Sequence, residues 1–406
     1  MSRPTTRPRL LVGSLAALAI SASLLSACDA VPGEDRADEA SGAEGSADAE
    51  PSSDPGRLRL VVGKDSDRVP VSRLVRVKAV GGTVDRVTVT SSEGDLPGKV
   101  HGNGGAWKAT ERLEPGVTYA VEARGTTPQG DPLTLERTFT AQALTLAEQT
   151  YASVAPLEGE TVGVGMPVVV NFDVPVTDRA RFERHMLVRT SPQQAGSWHW
   201  LSDNIAHWRP KEYWKPGTEV SVDLDVNGVD AGNGIYGQQD RRVSFRVGDA
   251  HVYKVDVAAH RMEVYSNGSR LRTLPITAGK PGFTTRSGVK VIMAKHRTKR
   301  MSSETIGIDH DAAEGYDLDD VEYAMRLTNS GEFIHAAPWS VGSQGNANVS
   351  HGCTGLSTEN AGWLYRMSRR GDVVEYVGTD RPMTADNGYG DWNVPFGDYR
   401  EGSALS

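Results

Sequence analysis

The sequence predicts a mainly β protein built from successive sandwich domains, with one short helix in its last third. Three observations carry this. From Arg57 to Gly248, apolar and polar residues alternate in short runs, the period of half-buried strands. Gly, Pro, Asn and Asp punctuate those runs at short intervals, as all-β sandwiches require. Beyond His251 the alternation continues, but "NAGWLYRMSRR" at 360–370 reads as a helix with a basic last turn and a stop at Gly371.

The chain opens with Arg3, Arg7 and Arg9, followed by the apolar stretch "LLVGSLAALAISASLLSA" at 10–27. A basic start, a short apolar run and small residues make a secretory signal. A bilayer-spanning helix needs about 20 apolar residues, and this run is interrupted by Gly and Ser. The run ends in "LSAC", which resembles the lipobox of bacterial lipoproteins. The resemblance implies that Cys28 carries lipid as the mature N-terminus and tethers the chain to the outer face of the cell membrane. Residues 28–56 are Ala, Gly, Ser and acid with almost nothing to bury, so they are expected to be a disordered linker. Residues 29–54 hold nine acids against one base, a balance that equals the whole chain's net charge of −8. The folded body is then close to neutral, which excludes the basic face of a nucleic-acid partner.

Residues 57–146 hold "LRLVVG", "RLVRVKAV", "DRVTVTS", "TYAVEARG" and "LTLERTFTA" and match an immunoglobulin-like domain in size. Residues 147–249 repeat the texture with "VVVNFDVPV", "HMLVRTS", "SVDLDVNGV" and "RRVSFRVG". This second block also holds Trp198, Trp200, Trp208 and Trp214, either as sandwich core or as an exposed platform for sugars. A third block, 250–378, opens with two strands joined at Asn267-Gly268, a strong hairpin signal. "GVKVIMAKH" and "DVVEYVG" are further strands, on either side of the helix in sequence. The tail, 379–406, carries Tyr389, Trp392, Phe396 and Tyr399 and is expected to pack on the third domain.

Chemistry concentrates in "NVSHGCTGLS", 348–357. If Cys28 is acylated, Cys353 is the remaining thiol, and such a thiol is either buried and inert or reactive. A nucleophilic cysteine needs thiolate character, a base within reach and donors for an oxyanion. Gly352 and Gly355 let substrate approach the backbone closely. His351 is too near in sequence to turn onto the sulfur without strain, whereas a strand ending "EFIH" can bring His335 beside it. His335, His351 and Cys353 are also zinc-ligand types, but no second cysteine pair supports a metal site. "IDHDAAEGYDLDD", 308–320, lacks EF-hand spacing and reads as a solvated acidic lid.

The longer run "IHAAPWSVGSQGNANVSHGCTGLS" resembles the L,D-transpeptidases, whose catalytic domain is of the YkuD type. The resemblance extends through "VIMAKH" and the tail "YGDWNVPF". It implies a mainly β fold of two immunoglobulin-like sandwiches followed by a YkuD-type catalytic domain. It also implies Cys353 as nucleophile, His335 as general base, and His351 and Gly352 as shapers of a loop whose N–H groups bind the oxyanion. Tyr316 falls where the family has a lid tyrosine. Met301, Trp339, Asn348, Ser350 and Thr354 are the further substrate-binding candidates. No cofactor and no metal is implied. The partners implied are peptidoglycan stem peptides, carbapenem inhibitors, and the membrane through the N-terminal lipid. The implied reaction is acyl transfer between tetrapeptide stems to give a 3→3 cross-link. Rival readings are an L,D-carboxypeptidase using the same residues and a wall-binding lipoprotein without activity. Two positions depart from the family: Ala336 in place of serine and Gly355 in place of asparagine. Without that hydroxyl, the second ring nitrogen of His335 is expected to bond a main-chain carbonyl, that of Ala336 itself being the simplest choice.

Overall fold

The computed structural model describes residues 56–406; the expected signal, Cys28 and almost all of the linker lie outside the described residues. The first sandwich pairs two four-stranded sheets. One runs Arg57–Val61, Arg76–Val80, Ala106–Ala109, Gly98–His101; the other runs Gly94–Asp95, Thr83–Ser91, Thr118–Thr126, Pro132–Thr140. Strand Thr118–Thr126 shows the expected period of two: Tyr119, Val121 and Ala123 are buried, and the residues between them face water. They meet Val77 and Trp107 of the other sheet in one core.

The second sandwich has the same plan, with Ala152–Ala155, Val168–Phe172, Ile205–Pro210 and Gly196–Ser202 against Thr161–Val162, Arg241–Val247, Glu219–Leu224 and Met186–Ser191. Its four tryptophans are all in the core, which rules out the sugar platform. Trp208 stacks on Trp214 with ring centroids 5.4 Å apart. Buried indole N–H groups need partners. Trp198 donates to the Met186 carbonyl at 2.9 Å, Trp200 to Glu183 at 2.8 Å and Trp214 to the Met166 carbonyl at 2.6 Å.

The third domain has a five-stranded and a four-stranded sheet. The first runs Ser269–Pro275, Arg261–Ser266, His251–Asp256, Val373–Val377, Gly288–Val291; the second runs Ala294–Ser302, Asp317–Arg326, Phe333–Ala336, Thr354–Leu356. The hairpin turns at Asn267-Gly268 as expected, both at positive φ. The single strand expected over 288–296 is two. The chain crosses between sheets at Ile292 and Met293, whose N–H groups bond Asp372 O and Arg326 O respectively. The helix is Thr358–Met367, capped by Ser357, and ends three residues before the expected basic stretch does. There the Ser368 hydroxyl turns back to the Leu364 carbonyl and meets Tyr253, and Gly371, at φ 96°, carries the chain into the next strand.

The second sandwich and the third domain share a seam. The N–H groups of Gly163 and Gly165 each bond the 370–371 backbone at 2.8 Å. A Cβ on Gly163 would stand 2.2 Å from the Asp372 nitrogen, so only glycine permits this approach. The tail packs on the third domain, as the sequence leads one to expect. It is also a bolt across the seam, with polar anchors in both domains. Asp391 accepts from His207 Nδ1 at 2.9 Å and from the Tyr399 hydroxyl at 2.9 Å. The Arg209 guanidinium lies 4.7, 5.3 and 4.3 Å from the ring centroids of Trp392, Phe396 and Tyr399. Toward the third domain, the Asn393 amide accepts from Val289 N–H at 2.8 Å and donates to the Val289 carbonyl at 2.7 Å. Asp391→Ala strands two buried donors. It is expected to lower stability by roughly 1–3 kcal/mol and to open residues 379–406 to limited proteolysis, read by denaturant unfolding and peptide mapping.

Candidate active site

Strand Phe333–Ala336 runs parallel to Thr354–Leu356, with His335 opposite Gly355. This pairing brings the histidine to the cysteine loop across the intervening chain. Cys353 and His335 line one cavity of ≈ 300 Å³, together with Met301, Tyr316, Trp339, Ser350 and His351. A second cavity, ≈ 490 Å³, also reaches Cys353 and shares Tyr316 and His351 with the first.

His335 is buried, and its Nδ1–H donates to the Ala336 carbonyl at 2.7 Å, the partner expected from the missing hydroxyl. A ring that donates through Nδ1 keeps Nε2 as a proton acceptor. The Trp339 ring covers it at 5.9 Å, nearly parallel, while itself 58% exposed. Burial holds the His335 pKa below its usual value, so the ring is neutral at neutral pH. Burial also pushes the Cys353 thiol up to about 11; the Phe333 backbone opposes this and the Glu332 charge adds to it. The resting pair is a neutral thiol and a neutral imidazole.

The loop is tied from within. The Ser350 hydroxyl donates to the Cys353 carbonyl at 2.6 Å and accepts from Gly352 N–H at 3.1 Å. Gly352 sits at φ 121°, which excludes a side chain, and its carbonyl accepts from Thr285 at 2.8 Å. His351 is held by the lid and by Phe283. Its Nε2 meets Glu314 at 2.9 Å, and its ring packs on Phe283 and Tyr316. A zinc site would need His335, His351 and Cys353 to converge, and their ligand atoms do not all come within 4.8 Å of one another.

These features match known proteins. A family model for the L,D-transpeptidase catalytic domain matches residues 250–375, and one for a bacterial Ig domain matches residues 66–230. The chain is 35% identical over 338 residues to L,D-transpeptidase 2 of Mycobacterium tuberculosis, covering 83% of this chain and 82% of that protein. The chain belongs to the L,D-transpeptidase family. It is also 43% identical to L,D-transpeptidase 1 of the same species, over 56% of this chain and 84% of that one. A solved L,D-transpeptidase in complex with imipenem superposes with a TM-score of 0.50 at 43% identity, over 56% of this chain and 98% of that one. The chain is therefore an L,D-transpeptidase enzyme, and the reading as a wall-binding protein without activity falls away.

Within this transpeptidase, two of the substrate-binding candidates are braces. Asn348 lies off both cavities; its amide accepts from Ala278 N–H at 2.9 Å and donates to the Val257 carbonyl at 3.1 Å. Thr354 is fully buried, its hydroxyl paired with that of Tyr376 at 2.7 Å. Side-chain direction, which the motif does not encode, decides both. The acidic lid is only partly solvated. Asp309 and Asp311 face water, but Glu314 ties the lid to Lys280 as well as to His351. Gly355 is explained by space: a Cβ there would stand 2.8 Å from Thr277 Cγ2 and 2.9 Å from Ala337 Cβ. Sequence reasoning missed Glu314, Lys290, Arg286 and Glu332. Lys290 alternates with valines in its strand and so reads as a solvent-facing residue, leaving no signal.

Because the thiol is held near 11, alkylation of native Cys353 by a small neutral reagent is expected to be slow at neutral pH. The rate should climb about tenfold per pH unit toward that value, because the thiolate is the reactive form. In denaturant the profile should fall to that of an ordinary thiol. A fast, pH-independent native reaction would show a preformed thiolate instead.

Proposed function

We propose that this transpeptidase forms 3→3 peptidoglycan cross-links through a thioester on Cys353. The observation that carries the reading is the His335 ring, pinned through Nδ1 to the Ala336 carbonyl, in the same cavity as the thiol. As a tetrapeptide stem docks, the Cys353 proton passes to His335 Nε2. The sulfur attacks the carbonyl of the third residue, and backbone N–H groups of the cysteine loop stabilise the oxyanion. Terminal D-alanine leaves as an amine, taking the proton from His335. The side-chain amine of a second stem then attacks the thioester, an amide forms, and the thiolate leaves and recovers a proton. A thiolate suits both steps because it attacks well and leaves well. The opening of two cavities onto one sulfur supports separate approaches for donor and acceptor. Tyr316 and His351 form their shared wall, and Met301, Trp339 and Ser350 line the donor side. The proposed inhibitors are carbapenems, since a relative's structure holds imipenem.

A carbapenem is expected to add one covalent mass to the protein, and Cys353→Ala to abolish both the adduct and new 3→3 muropeptides from purified sacculi. His335→Ala should slow acylation by ~10²–10⁴-fold, while Ala336→Ser changes it little because the carbonyl already orients the ring. An adduct on the Cys353→Ala variant would refute the assignment. Tripeptides without cross-links would identify a carboxypeptidase. We also propose that Cys28 carries lipid and holds the enzyme at the outer face of the cell membrane. Cys28→Ser should then move the protein from the membrane fraction to the soluble one with activity intact; unchanged retention counts against it.

A further inference from the structure

A buried lysine lies beside the nucleophile, and the reaction above does not use it. Lys290, in strand Gly288–Val291, is 0% exposed. Its ammonium pairs with Glu332, itself 4% exposed, and stands 3.7 Å from the centroid of the Tyr376 ring. The other Glu332 oxygen accepts from Arg286 Nη1 at 2.8 Å and from the Arg286 backbone N–H at 3.2 Å. One carboxylate thus holds two cations. Burial lowers Lys290 to about 8, with Glu332 opposing, so it is mostly protonated at neutral pH and the cluster carries one net positive charge.

The cluster meets the nucleophile loop on both sides of Cys353. Glu332 follows Gly331, whose carbonyl receives Cys353 Sγ at 3.6 Å. Its Cγ is 3.7 Å from where a Cβ on Gly352 would stand. On the other side, Tyr376, which lies against Lys290, bonds Thr354. Two buried charges and a half-buried third are a poor device for stability, since apolar replacements are often as stable. Within the cluster, the Lys290 ammonium offsets the Glu332 carboxylate near a sulfur that must become anionic, in a site where charge acts strongly. The other titratable or charged groups around Cys353 are Arg326, Arg381, Tyr316, Tyr376, His335 and His351, the last paired with Glu314. Glu332 acts against the thiolate more strongly than either Lys290 or Arg326 acts for it.

We propose that Lys290 is a positioning residue for the nucleophile: held by Glu332 beside Gly352 and Cys353, its ammonium gives the buried cluster the positive charge that eases proton loss from the sulfur. The inference rests on the reading of Cys353 as the nucleophile. It is tested on the full chain by iodoacetamide alkylation, read at the Cys353 peptide by mass across neutral to alkaline pH, with thermal unfolding of each variant alongside. Lys290→Met leaves Glu332 bonded to Arg286 but makes the cluster neutral. Its alkylation should be roughly tenfold slower at neutral pH, and the gap should close above about pH 8, where the wild-type lysine loses its own proton. Glu332→Gln removes the opposing charge, so its profile should not rise. A cluster that only supports the fold would slow both variants alike. An unshifted Lys290→Met profile, or a Glu332→Gln profile raised as far as that of Lys290→Met, overturns the proposal. If Lys290→Met does not fold, Glu332→Gln decides alone: a raised profile overturns the proposal, and an unraised one supports it. Wild-type protein that shows the expected thiol titration but forms no cross-links would refute the proposed reaction and leave this inference standing.

Discussion

The parallel pairing of Phe333–Ala336 with Thr354–Leu356 is the constraint on which the site depends. It sets His335 opposite Gly355 and leaves Cys353 immediately before the paired strand. A parallel pair needs a long connection, and here that connection, 337–353, is the wall of the cavity. It supplies Trp339 over the imidazole, Asn348 as a brace and Ser350 as the tie on the Cys353 carbonyl. Shifting this register by one residue would turn His335 to the other face of the sheet.

Burial then sets the chemistry. The same desolvation that raises the thiol lowers the imidazole, so both partners rest uncharged. Cys353 and His335 thus form no standing ion pair, and they react when substrate supplies a carbonyl onto which charge can move. The Ala336 carbonyl orients the ring but brings no charge, unlike a carboxylate partner. Charge near the sulfur comes instead from the Arg286–Glu332–Lys290 cluster across the cysteine loop.

The domains before the site act as its mount. The second sandwich touches the third domain through glycine backbone at Gly163 and Gly165, an Arg370–Glu160 ion pair and the aromatic tail. Val373, next to the seam, belongs to the core of the sandwich, while its neighbour Val374 belongs to the core of the third domain. The strand that closes the five-stranded sheet is thereby held from both sides.

The sequence by itself determined the strand period, the Asn267-Gly268 hairpin, the short helix ahead of Gly371 and the family to which the Cys353 loop belongs. It also determined the His335 partner, because removing a hydroxyl at position 336 leaves the main chain as the nearest acceptor. These are local signals, carried by neighbours in the chain. The tertiary structure alone decided the rest. Asn348 and Thr354 face the frame rather than the cavity, the four tryptophans face a core, and the tail bolts two domains together. Lys290 and Glu332 lie in separate strands and loops, and each would be read alone as a solvated charge. Their meaning comes from burial against each other beside Cys353, a property of packing between distant segments that no local pattern encodes.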